Sequence, residues 1–164
     1  MPGWLGYVLL TMLCWGTYGV FLHSGAMGMA DPANGRLKAF LIVGVAYFLV
    51  AIVVPALILW SRGATWDFPS SGAGWSLFAG VVGAVGALGV LLAFGAKGQP
   101  AVVMSLVFGG APVVNAFVST WKTDTWSEIR WPFVLGIALA AVGGGLVSLY
   151  KPEPPRPTAP TQAP

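Results

Sequence analysis

Between Ala39 and Trp60 the chain reads AFLIVGVAYFLVAIVVPALILW, 22 residues without one Asp, Glu, Lys, Arg or His. A bilayer core about 30 Å thick is crossed by roughly 20 helical residues at about 1.5 Å each. The stretch meets that length. It has none of the period-two alternation of a barrel strand. Backbone groups in hydrocarbon must hydrogen-bond within their own segment, so the stretch reads as a membrane-spanning helix. Four more uncharged stretches read the same way: Trp4 to Leu22, Trp75 to Gly95, Ala101 to Thr120 and Trp131 to Tyr150. The expected fold is all-α and integral to the membrane, a bundle of five transmembrane helices over residues 1–150.

Composition agrees. The 164 residues are 57% hydrophobic and 8% charged, with mean hydropathy +0.80, whereas soluble domains carry about 25% charged residues. Too few charges remain to cover a watery surface, so lipid is the expected partner. The net charge of +3 comes from singly scattered basic residues, which argues against a nucleic-acid partner. Cys14 has no second cysteine to pair with and reads as a small apolar side chain. The connections hold nearly all the charge: His23, Asp31, Arg36 and Lys38; then Arg62 and Asp67, with Ser70, Ser71 and Gly72 turning the chain; then Lys97 to Pro100; then Lys122, Asp124, Glu128 and Arg130. Residues 151–164, rich in proline, read as an extended, disordered tail. Gly28-Met29-Ala30 resembles a small-residue cleavage site. However, no Lys or Arg precedes the first apolar run, which is longer than a signal core, so it is expected to stay as a span.

Five crossings place the termini on opposite sides. Arg36, Lys38, Lys97, Lys151 and Arg156 fall on the C-terminal side, against Arg62, Lys122 and Arg130 on the other. The positive-inside rule then makes the C-terminus cytoplasmic and the N-terminus external, in the cell (inner) membrane. Trp4, Trp60, Trp66, Trp75, Trp121, Trp126 and Trp131 form a belt on the N-terminal side, which favours one fixed orientation.

Small residues let helices approach closely in lipid. Gly136, Ala140, Gly144 and Ser148 recur at spacing four, and Gly80, Gly83, Gly86 and Gly89 at spacing three. Each row is expected to pack within the bundle or against a second chain. Gly109-Gly110-Ala111-Pro112 is expected to interrupt the fourth helix and free the Phe108 carbonyl. Such a break is either a plain kink or a binding site of the kind transport proteins build. Pro55 is a weaker kink. No ionisable side chain lies mid-span, so an intramembrane carboxylate does not drive a proton cycle here. On the first helix Tyr7, Thr11, Trp15 and Tyr18 share a face; on the fourth, Phe108, Pro112, Asn115 and Ser119 do. Asn115, the one amide among the five cores, must bond to a helix, a water or a solute. His23 is expected to end the first helix, as a solvated end or a gate. No nucleophile–base pair, metal-ligand cluster or phosphate loop is visible, so neither an enzyme nor a metal or other cofactor is expected.

Leu13-Cys14-Trp15-Gly16-Thr17-Tyr18-Gly19-Val20-Phe21 resembles the Trp-Gly opening of EamA-type repeats of the drug/metabolite transporter superfamily. Ala111-Pro112-Val113, Glu128 and the run from Gly136 through Gly143 to Leu146 resemble its closing pattern: a mid-helix proline, a short acidic loop and a glycine-rich last helix. The resemblance covers one repeat, Gly3 to Lys151. It implies that the first and fourth helices line a cavity for small metabolites, and that a second repeat comes from a homo-oligomer or a hetero-dimeric partner. The candidate substrate contacts are Thr11, Trp15, Thr17, Tyr18, Phe108, Asn115 and Ser119. His23, Gly109, Gly110 and Pro112 form the candidate gate or helix break. The expected function is a permease for small neutral or zwitterionic solutes. A non-transporting membrane subunit, or a translocator of lipid-linked headgroups, stands as the alternative.

Overall fold

The computed structural model of the chain describes residues 3–152; the tail reading, from residue 153 onward, lies outside them. The element order is α1 (Trp4–Gly28), α2 (Gly35–Phe48), a π turn (Leu49–Val53), α3 (Val54–Ser61), α4 (Ser70–Gly95), α5 (Pro100–Thr123), a 3-10 turn (Trp126–Glu128) and α6 (Trp131–Leu149), with no strand among the described residues. Helix α2, the π turn and α3 run on as one, so five helices are long and apolar enough to cross a membrane.

Sequence and structure differ at the helix ends. The first helix continues past Leu22 to Gly28, the second starts at Gly35 rather than Ala39, and the third starts at Ser70 rather than Trp75. Charged and polar residues mark the ends of the apolar runs, but helical hydrogen bonding passes through them. His23 therefore does not end α1. It sits inside the helix, edge-on to the Phe94 ring at a centroid distance of 5.6 Å. The true ends are set by backbone conformation. Ala30, Gly63, Lys97 and Asp124 take positive φ, the left-handed residue that commonly closes a helix. At the end of α4 the Gly98 N–H donates to the Ala93 carbonyl (2.9 Å) and the Lys97 N–H to Phe94 (3.2 Å), so the last carbonyls are satisfied. Pro100 then opens α5, where its missing N–H costs nothing.

The two internal prolines behave differently. Pro55 is the second residue after the π turn, next to Val54. A proline ring collides with the carbonyl four residues back, here Ala51, and a widened turn relieves the clash. Pro112 lies inside a helix that stays unbroken from Pro100 to Thr123. The expected interruption of the fourth helix is therefore absent, because one proline with glycine neighbours can be absorbed as local adjustment.

Contacts divide the chain into two compact units, one up to Met104 and one from Ser105 onward. In the first, Leu22, Val90, Leu91, Phe94 and Met104 form the buried core, with Tyr18, Phe40, Val43, Leu88 and Val103 packed against it. In the second, α5 crosses α6 where Gly109 meets Gly144. A Cβ on Gly144 would lie 2.8 Å from the Ser105 carbonyl oxygen and 3.1 Å from the Gly109 Cα. Elsewhere the large apolar side chains are outside: Leu41 is 71% exposed, Leu77 72%, Phe117 63% and Leu149 78%. Water would not tolerate so continuous an apolar surface.

The α1–α2 connection is the best-ordered polar feature. The Asp31 carboxylate accepts from the Ala33 N–H (3.1 Å) and the Asn34 N–H (2.9 Å), and its other oxygen takes the Lys38 ammonium at 2.6 Å. The Lys38 hydrogen bond, then the backbone N–H of Asn34, hold its pKa below the usual carboxylate range.

Candidate functional site

The first unit contains a cavity of about 480 Å³ bounded by α1, α2, the π turn and α4. Trp15 forms one wall and Phe40, Val43, Tyr47 and Ala51 a second. The α4 wall is Ala79, Gly80, Gly83, Ala84 and Ala87. The volume exists because side chains are missing. A Cβ added at Gly44, Gly80 or Gly83 would meet nothing within 4 Å. Among the described residues the glycine row on α4 therefore packs against no helix, so its expected packing within the bundle is not seen; Gly80 and Gly83 hollow out the space beside Trp15 and Tyr47. The π turn belongs to the same wall through Ala51.

Polar chemistry here is sparse. Tyr18 packs against Trp15, with ring centroids 6.0 Å apart. Among the described residues its buried hydroxyl has no hydrogen-bond partner, although buried tyrosine hydroxyls normally find one. The cavity can thus hold an uncharged body against aromatic and aliphatic walls, with phenol and indole tips as the polar contacts. No carboxylate, ammonium or guanidinium lines it.

The predicted residues divide. Trp15 lies on the cavity and Tyr18 beside it. Thr11 and Thr17 are exposed and back-bonded along their own helix, to the carbonyls of Tyr7 (2.9 Å) and Leu13 (2.8 Å). Helix α1 is unbroken from Trp4 to Gly28, so Tyr7, Thr11, Trp15 and Tyr18 do share a face; of them Trp15 lines the cavity and Tyr18 packs against it. Phe108, Asn115 and Ser119 belong to the second unit. Ser119 donates to the Ala116 carbonyl at 3.1 Å, and Phe108 is 41% exposed. Asn115 is exposed in an open groove with Leu106, Val107, Gly110, Ala111, Val114 and Val118. Its side chain makes no hydrogen bond among the described residues, so of the three partners expected for it, a helix, a water or a solute, no helix of these residues serves. Gly109 is a helix-crossing residue rather than a break, and Gly110 and Pro112 sit on the exposed surface of α5.

Sequence reasoning missed Phe40, Tyr47 and the α4 glycine wall. Tyr47 is the single tyrosine in its segment, a signal that was available. Among the described residues no group of three His, Cys, Asp or Glu side chains could hold a metal ion. Compared with known proteins, the chain finds no match among family models, curated proteins or solved structures.

Proposed function

We propose that the chain is a multi-pass protein of the cell membrane, N-terminus outside and C-terminus in the cytoplasm, that carries a small uncharged or zwitterionic solute through the bilayer. The cavity beside Trp15 is the observation that carries this reading. It lies midway along three apolar helices, is of ligand size, and is walled by groups that grip without charging the site. Glycines that meet no neighbouring helix in the described residues leave room for a solute path. The unsatisfied Tyr18 hydroxyl costs free energy unless something bonds to it for part of the time. The resemblance of Leu13–Phe21 and of the last two helices to an EamA repeat is in keeping with a permease.

The test is uptake of a panel of labelled neutral and zwitterionic metabolites into proteoliposomes. Trp15→Ala and Gly83→Leu, which strip or fill the cavity, are expected to cut flux at least about tenfold, the equivalent of roughly 1.4 kcal/mol. Both variants should remain in the alkali-washed membrane pellet. Flux unchanged in both variants would overturn the assignment. A second reading, a membrane subunit that serves assembly alone, is favoured by the bare face of α5. It expects these substitutions to alter no flux at all.

A further inference from the structure

Helix α5 has two opposite faces with different fates. Gly109, Ala116 and Thr120 are buried, and Gly109 is locked against Gly144. About 180° around the helix, at roughly 100° per residue, run Val107, Ala111, Val114, Val118 and Trp121. Their spacings of four, three, four and three are those of a seam in a left-handed helix pair. Among the described residues this face is exposed: Val114 is 64% exposed, Val118 47% and Trp121 69%.

We propose that this face of α5 pairs in parallel with α5 of a second copy of the chain. The inference rests on the membrane-spanning part of the function proposed above. The choice of occupant comes from Asn115 and Gly110, which flank the seam on opposite sides. Asn115 has an amide with no partner, inside an apolar span where an unmet amide is costly. Gly110 has open space where a side chain would be, which bares the backbone behind it. The two are five residues apart, the offset at which flanking positions of parallel paired helices face each other. Asn115 of each copy therefore meets Gly110 of the other, and its amide reaches the backbone there. One surface supplies both the projecting amide and the recess, as a twofold interface requires. An antiparallel pair at equal depth would instead set Asn115 against the Phe108 ring, with no recess to enter.

The experiment is disulfide trapping of the full chain in native membranes, in a Cys14→Ala background. Val114→Cys is expected to crosslink to itself on oxidation. Val113→Cys, about 100° away, should not. In liposomes, single-molecule photobleaching across a lipid dilution series gives the dimer fraction. Asn115→Leu and Gly110→Leu should each weaken dimerisation about 3- to 20-fold, and neither touches the α6 contact. Equal crosslinking at both positions, a monomer at every dilution, or Val114→Cys trapped only to a different protein would overturn the pairing. The two proposals fail separately: a monomer that moves solute sinks only the dimer, a dimer that moves none sinks only the permease, and a chain washed out by alkali sinks both.

Discussion

Replacing Gly144 by alanine puts a methyl group 2.8 Å from the Ser105 carbonyl oxygen and 3.1 Å from the Gly109 Cα. Both are backbone atoms of α5 and cannot swing aside, so α6 must retreat by roughly 0.5–1 Å to reach ordinary contact. A gap of that size forfeits a quarter to a half of each dispersion well along the crossing, and overpacking of this kind costs about 1–3 kcal/mol. Alanine's better helix propensity returns up to about 1 kcal/mol, leaving a net loss of roughly 0–3 kcal/mol. Gly136, two turns earlier on α6, is the internal control. Its added Cβ would meet nothing within 4 Å, so Gly136→Ala collects the propensity gain of up to about 1 kcal/mol alone. Reversible unfolding in mixed micelles should therefore rank Gly136→Ala above the parent and Gly144→Ala below it or level with it. A Gly144→Ala variant as stable as Gly136→Ala would refute the close crossing of α5 and α6.

Two further outcomes follow from the connections. Lys97 holds a left-handed conformation at φ 67°, which costs a residue with a Cβ about 1–2 kcal/mol; Lys97→Gly should raise the unfolding midpoint in the same micelle assay. Asp31 has a lowered pKa because Lys38 and the Asn34 N–H favour its ionised form. Its contribution is therefore complete above the unfolded carboxylate value of about 3.9 and fades as pH falls through the lower folded value. Protection of the Asn34 amide, corrected for the intrinsic pH dependence of exchange, should fall over that acid range, and Asp31→Ala should lack it at every pH.

The part of the site legible in the sequence was the part with distinctive chemistry. Trp15 and Tyr18 stand out because an indole and a phenol interrupt an apolar run, and both lie at or beside the cavity. Glycines are harder to read. The rows at 80–89 and 136–148 look alike as patterns, yet Gly144 is pressed against backbone and Gly80 and Gly83 face empty space. Proline is ambiguous for a similar reason. Pro55 and Pro112 each remove one donor, but only Pro55 is accompanied by a π turn, and the residues around each do not announce which outcome holds. Thr11 and Thr17 were drawn as solute contacts from their position beside Trp15; their own helix carbonyls take their hydroxyls instead.

What the amino-acid order determined unaided is the set of five apolar helices and the placing of charge between them. Hydrophobicity adds along a chain, residue by residue, and backbone bonds within a helix need no neighbour. What only the tertiary structure decided is which surfaces meet: the glycine crossing of α5 on α6, the hollow beside Trp15, and the bare amide of Asn115. Each of these depends on the atoms opposite, and those atoms come from segments far away in the chain.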